Sequence, residues 1–190
     1  MSAVPAPDPW QGRLVRLRAI EPSDATVLTE HSRDFEAFLA GGGDVPFPMS
    51  AQSVQRWAEE EAVKKREGDE GHLVIETLGG EAVGGIGTHH LNPRHGTFSY
   101  GINVHRPFWR QGYASEAVVL LLRHFFQERR YQKCNAVVFS FNNASLGLHQ
   151  RVGFVQEGRV RRAIYTNGTY HDEIFFGITA EEFLERHGPG

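Results

Sequence analysis

The stretch from Phe98 to Phe126 limits the fold of this chain more than any other part. Phe98, Tyr100, Ile102 and Val104 alternate with small or polar residues, the period of a strand with one buried face. After a short link, Ala114, Val118, Leu121, Leu122 and Phe125 recur at three- and four-residue spacing, and Val119, Leu120 and Phe126 widen the apolar surface. A helix so broadly apolar needs a sheet to cover it. The link reads Trp109-Arg110-Gln111-Gly112-Tyr113-Ala114. Gly112 lets the backbone turn closely without a Cβ. The first amides of the following helix have no intrahelical partner and stand at the positive end of its dipole, so they can cradle phosphate oxygens. Arg110 adds a full positive charge. Neither the Gly-x-x-x-x-Gly-Lys-Ser/Thr phosphate loop nor the Gly-x-Gly-x-x-Gly dinucleotide fingerprint is present, so the spacing points to a different pyrophosphate.

At 190 residues and 40% hydrophobic content the chain can bury one core. We expect a flexible leader over 1–12, one domain over 13–184 and a flexible tail over 185–190. A net charge of -3 supplies no basic field, so no specific nucleic-acid partner is expected. Cys134 is the single cysteine, which excludes an intrachain disulfide and a multi-cysteine metal site and fits a reducing compartment. Met1 to Gln11 carries neither a charged nor an apolar signal region, and no apolar run reaches membrane-spanning length. These features predict a cytoplasmic protein with no membrane partner.

In chain order, Arg13 to Arg18 alternates as a first strand, and Glu21-Pro22-Ser23-Asp24 opens a helix bearing Val27, Leu28 and His31. Between Phe35 and Pro48, glycines and prolines interleave with Phe35, Phe38 and Phe47; this is either a mobile lip or a set of aromatics closing the core under a loop. Ser50 caps a helix over Ala51 to Lys65. Leu73 to Ile75 and Ala82 to Ile86 read as a strand pair, Cys134 to Phe139 as a further strand, and Gly158 to Ile178 as a long hairpin turning at Asn167-Gly168. Asn142 to Ser145 begins a short helix that Gly153 ends. His89, His90 and His95 invite a metal, but adjacent strand residues face opposite ways, so no metal is expected.

Two signatures in order carry a family resemblance. Trp109 to Ala114 resembles the acyl-CoA loop of the GNAT superfamily of N-acyltransferases, Gln/Arg-x-x-Gly-x-Gly/Ala. Asn142-x-x-Ser145 followed by Arg151-Val152-Gly153-Phe154 resembles the second signature, Asn-x-x-Ser/Ala ending in Gly-Phe. Trp109, the Glu21-Pro22-Ser23-Asp24 opening and Tyr170-His171-Asp172 are similar to the RimJ/RimL-like branch, which acetylates ribosomal-protein N-termini; Arg110 replaces the glycine usual there. The resemblance spans Arg13 to Phe183. It implies an α/β fold with a mixed central sheet, flanking helices and a splayed central strand pair. It also implies acetyl-CoA as co-substrate and direct transfer of acetyl, in a ternary complex, to a primary amine. The acceptors it implies are a protein N-terminus, a polyamine or another small amine, and the choice among them stays open.

By the same resemblance, backbone groups of Ile102, Asn103 and Val104 hold the pantetheine and the thioester oxygen, and Asn142 meets the pantetheine from the opposite strand. Arg110, Gln111, Gly112, Tyr113 and Ala114 hold the pyrophosphate. His149 stands four residues before Gly153, where the superfamily often has a tyrosine as general acid. An imidazole with an ordinary pKa of ~6.5 suits that work, while a lone histidine on a short helix also serves as packing. Asp172 and Glu173 can meet an ammonium or be structural. The general base, the acyl group beyond acetyl, and a homodimer against other assemblies stay open. Two rivals are a non-catalytic acyl-CoA-binding module and a hydrolase using Cys134.

Overall fold

The first strand, β1 (Val15–Arg18), is shorter than its alternation allows, because the amides just before it are bound by a side chain and not by a neighbouring strand. The structure is a computed structural model that describes residues 8–34, 36, 37, 39, 47–65 and 68–188. The lip expected between Phe35 and Pro48 lies mostly outside those residues. A 3-10 turn at Pro22–Asp24 leads into α1 (Ala25–His31), and α2 (Ala51–Val63) starts where the Ser50 side chain accepts the Ser53 amide at 3.1 Å. An antiparallel meander follows: β2 (Gly71–Thr77), β3 (Ala82–Asn92) and β4 (Thr97–Val104). Next come α3 (Tyr113–Gln127), β5 (Lys133–Phe139), α4 (Asn143–Val152), the hairpin β6 (Val155–Thr166) and β7 (Thr169–Thr179), and α5 (Ala180–His187).

These strands make a seven-stranded mixed sheet in the order β1-β2-β3-β4-β5-β7-β6. Every neighbour is antiparallel except β4 and β5, and parallel neighbours need a crossover, which α3 supplies. The broad apolar face read in the sequence does what it must. Ala117, Val118, Leu120, Leu121, Leu122, Phe125 and Phe126 of α3 are buried with Phe98, Ile75, Val83, Phe176 and Ile178. Each large side chain so buried contributes roughly 1.5–3 kcal/mol. Ile75 belongs to this cluster while adjacent Val74 joins Ile20, Ala25 and Ala58 in a smaller one. Since neighbouring strand residues face opposite ways, the sheet is covered on both sides near β2.

The parallel contact is brief. β4 and β5 pair at Thr97↔Lys133, Phe98↔Cys134 and Ser99↔Asn135, and then part: β4 continues on β3 to Val104, and β5 continues on β7 to Phe139. The expected splayed pair is therefore present. At the ends, Trp10 packs on His124 with ring centroids 4.3 Å apart, and the His187 ring donates to the Val152 carbonyl at 2.8 Å. Packed residues thus lie outside the 13–184 span expected from sequence. One local expectation is corrected: a register shift follows His89, and His90 has φ 50°, so the His89 and His90 rings come within 4.7 Å instead of facing apart. Among the described residues no group of three metal-binding side chains assembles there or elsewhere.

Candidate active site

The fork between β4 and β5 is the centre of the site. Carrying the pairing offset forward (133 minus 97, or 36) sets Asn103 level with Phe139 and Val104 level with Ser140 across the gap. On the first arm, β3 presses close: a Cβ at Gly84 would stand 2.2 Å from the Asn103 carbonyl oxygen, so only glycine lets β3 follow β4 out to Val104. The Trp109 indole N–H donates to the Val104 carbonyl at 2.5 Å, folding the loop back onto the strand end. Ile102, Asn103 and Val104, singled out from sequence, thus form the free-running arm.

The loop then turns through two left-handed residues, Arg110 at φ 62° and Gly112 at φ 88°. Gly112 is the N-cap of α3, and a Cβ there would also meet Leu14 Cδ1 at 3.2 Å. The Glu116 amide donates to the Gly112 carbonyl at 3.1 Å, so the amides of Tyr113, Ala114 and Ser115 form the open end of the helix. Gln111 donates its side-chain amide to the Pro107 carbonyl at 3.3 Å. The sequence-level candidates Arg110 to Ala114 therefore gather at one helix start beyond the tip of the first arm.

Glu116, which sequence reasoning missed, fastens that helix start. Its carboxylate accepts the amides of Arg13, Leu14 and Val15 at 3.0, 2.6 and 2.8 Å. An acidic residue in the first turn was visible as a dipole match, but its partners lie about a hundred positions away in the chain.

On the second arm the Asn142 amide nitrogen of the backbone donates to the Phe139 carbonyl at 2.9 Å, and the Asn142 side-chain oxygen accepts the Ser145 amide at 3.0 Å. Asn142 is therefore the N-cap of α4, whatever else it does. Ser140 and Asp172 are joined twice, Ser140 N–H to the Asp172 carbonyl at 2.9 Å and Asp172 N–H to the Ser140 hydroxyl at 3.1 Å. The Asp172 carboxylate accepts the Arg162 amide at 2.8 Å and the Arg159 guanidinium at 2.6 Å, and these two donors hold it below the usual carboxylate range. Glu173 lies opposite Phe139 on β7.

His149 lies in the core of α4, 4% exposed. Its Nδ1 is 2.8 Å from the Ser145 carbonyl, and since a carbonyl only accepts, the proton sits on Nδ1. Nε2, 2.9 Å from the Tyr100 hydroxyl, then accepts from that phenol. Phe176 stacks on the ring at 5.5 Å and Phe154 meets it edge-on at 5.0 Å. Burial pushes His149 below its ordinary pKa, partly opposed by Ser145, and pushes Tyr100 well above its own. Both are neutral at pH 7. Tyr100 is the first β4 residue past the last pair with β5, so this couple sits at the apex of the fork.

Near the end of the first arm, His105 is 5% exposed and stacks on His31 of α1 at 3.3 Å. Burial, with His31 beside it, pushes His105 down to about 4. Arg106 pairs with Asp34 and Glu36 on the outer side. Cys134 is fully buried and burial pushes its thiol well up, so it is not available as a hydrolytic nucleophile.

Residues 14–155 match the family model described as the acetyltransferase (GNAT) domain. The SPbeta prophage-derived N-acetyltransferase YokL of Bacillus subtilis (strain 168) is 40% identical over 179 residues, covering 94% of this chain and 97% of YokL. YoaA, an N-acetyltransferase of the same organism, is 35% identical over 98 residues, about half of each chain: 52% of this one and 55% of YoaA. Among solved structures, spermidine N-acetyltransferase from Vibrio cholerae in complex with CoA and spermine aligns with TM-score 0.77 over 90% of this chain and 98% of its own, at 19% identity. A GNAT-family acetyltransferase from Bacillus anthracis aligns with TM-score 0.76 over 90% and 98%, at 20% identity. A family model spanning most of the chain and a relative matched nearly end to end agree with the parted strands and the open helix start: the chain belongs to the GNAT acetyltransferases, enzymes whose acyl donor is acetyl-CoA.

Proposed function

We propose that this acetyltransferase moves the acetyl group of acetyl-CoA directly to a primary amine in a ternary complex, and that it belongs to the RimJ/RimL-like branch. The observation that carries the chemistry is the fork whose first arm ends at the helix start of Gly112. In this reading the pyrophosphate rests on the amides of Gln111 to Ala114 with Arg110 beside them, the pantetheine lies between the arms, and backbone groups of Ile102, Asn103 and Val104 face the thioester. Asn142 closes the second side while capping α4. The neutral amine attacks the thioester carbonyl, the C–N bond forms, the C–S bond breaks, the amine nitrogen loses a proton and the CoA thiolate gains one.

His149 is proposed to supply the thiolate's proton from the apex. Its resting tautomer carries only the Nδ1 proton, which Ser145 holds, so donation requires a second proton on Nε2, which passes to the Tyr100 oxygen as the Tyr100 hydroxyl gives its own proton to the thiolate. The contribution therefore grows as pH falls below the ordinary imidazole range, toward the lowered value that burial gives His149. Support for the branch comes from Trp109 and Tyr170-His171-Asp172, and acceptors in this reading are protein N-termini, polyamines or other small amines. The relatives are N-acetyltransferases by name, which leaves the non-catalytic rival without support. The test is a panel of amines and peptides incubated with acetyl-CoA, following CoA release and the acetylated product by mass spectrometry. Negligible turnover over the whole panel, with tight CoA binding, would refute the proposal.

A further inference from the structure

The β6–β7 hairpin carries a charged surface that acetyl transfer itself does not use. The pairing register shifts between Val160 and Ile164, and Arg162 sits at φ 54°, so β6 bulges and brings three arginines together. Arg159, Val160, Arg161, Arg162 and Asp172 line one shallow concavity. Asp172 is the single carboxylate in it, and its oxygens are already held by Arg159 and the Arg162 amide. Arg162 lies over the Tyr170 ring at 4.4 Å, and Arg161 is exposed and enters none of the ion pairs among the described residues. Three guanidiniums thus face one committed carboxylate. Glu173, next to Asp172 on the strand, turns to the opposite face of the hairpin.

The place of this concavity gives it a role. Asp172 is bonded twice to Ser140, and Ser140 stands level with Val104 across the fork. From β5 to β6 is two strand spacings, about 10 Å. An amine lying against the β5 arm would therefore have β6 and its arginines about 10 Å from it, on the side away from the Gly112 helix start.

We infer that the hairpin selects acceptors that carry a carboxylate or phosphate about 10 Å from the reacting amine, above all peptides with an acidic residue near the third position, and that it disfavours polycations. The inference rests on the amine-acetylation reading. An extended peptide advances ~3.3–3.6 Å per residue, so two to three steps cover about 7–10 Å and reach the third and fourth positions. A polyamine would bring positive charge to a surface that already has an excess of it.

The test compares kcat/KM, at saturating acetyl-CoA, for a pentapeptide with aspartates at its third and fourth positions, its asparagine counterpart, and spermine. Two or three exposed charge pairs amount to about a tenfold preference for the acidic peptide, which shrinks as salt is added. Arg161→Glu should bring the ratio to about one or below. Equal rates for the two peptides, spermine matching the acidic peptide, or an Arg161→Glu ratio unchanged from wild type would each overturn the inference while leaving amine acetylation standing. Calorimetry of the acidic peptide on CoA-saturated enzyme separates the two ideas. Binding lost in Arg161→Glu without any acetylation would sink the acetylation reading and keep the anion site. No binding and no turnover would end both. Weakened binding of CoA itself in Arg161→Glu would assign the arginines to the cofactor's phosphates and also overturn the inference.

Discussion

At Gly112 the requirement is set by two independent facts, a φ of 88° and a Leu14 methyl 3.2 Å from any added Cβ. The left-handed backbone alone costs a non-glycine residue about 1–2 kcal/mol, and a branched side chain adds the clash. Gly112→Val is expected to weaken acetyl-CoA binding at least ~10-fold, each tenfold being 1.4 kcal/mol, with the far-ultraviolet spectrum little changed. Calorimetric affinity equal to wild type would remove the loop from the site. For His149→Phe the expected loss is ~10²–10⁴-fold in single-turnover rate with little change in acetyl-CoA affinity. The same change leaves the buried Tyr100 hydroxyl without its acceptor, costing about 1–3 kcal/mol of stability. Adding Tyr100→Phe should recover the melting temperature but not the rate, and recovery of both would make the couple purely structural. His149 was legible as a position from its spacing to Gly153. Its tautomer and burial were not, because Tyr100, which fixes them, is 49 positions distant and signalled only a strand face.

At the level of the element, α3 was readable almost whole from its periodicity, since burial against a sheet imposes a strong pattern. What orients it was not. Glu116 pulls the first turn of α3 onto the amides ahead of β1, and this link keeps the open helix end aimed at the tip of the fork. Glu116→Gln would set an amide donor against backbone donors. We expect KM for acetyl-CoA to rise about tenfold with kcat at saturation within about twofold, because the lost charged hydrogen bonds act on binding and not on the chemical step. A fall in melting temperature with KM unmoved would make Glu116 a fold residue alone. Strand limits show the same boundary of legibility. Alternation found β3 but not its extension to Asn92 or its irregularity after His89, because a bulge is a property of the pairing and leaves no period in one strand. Likewise α2 ends at Val63, short of the expected Lys65.

Across the whole molecule, acid stability should fall in two stages. The histidines are held neutral: burial lowers His149, and burial and His31 take His105 to about 4. A histidine depressed in the folded state binds its proton more readily when unfolded, so its stability contribution is present above ~6.5 and is lost as pH falls below that toward the folded value. The second stage belongs to Arg18, whose guanidinium bridges Asp24 at 2.8 Å and Glu76 at 2.5 Å and ties β1 and β2 to the turn before α1. Burial pushes both carboxylates up, but the hydrogen bonds and charge of Arg18, joined by the Glu21 amide at Asp24 and by Arg16 at Glu76, prevail and lower them. Depressed acids stabilise above their unfolded pKa of ~4, and that stability disappears as pH falls further. Melting temperatures from pH 7 to 3 should show both declines. Asp24→Asn should lose about 2 kcal/mol at neutrality and flatten the lower one. An unaltered lower limb in that variant would show that the network contributes nothing. The overall architecture was expected from two short signatures. The ion network was not, since Arg16, Arg18, Asp24 and Glu76 read individually as ordinary strand and turn charges.

A sheet that parts after three residue pairs has almost no backbone ladder along that line. The strands β1 to β4 and β5 to β7 are each laced by long antiparallel registers, so the boundary between them is held chiefly by Phe98, Cys134 and the underside of α3. Under mechanical load the chain therefore has a built-in tear line. Pulled apart between Leu17 and Val160, it should open first along β4 and β5 at low force, giving an intermediate whose two halves are still folded, and only then unravel.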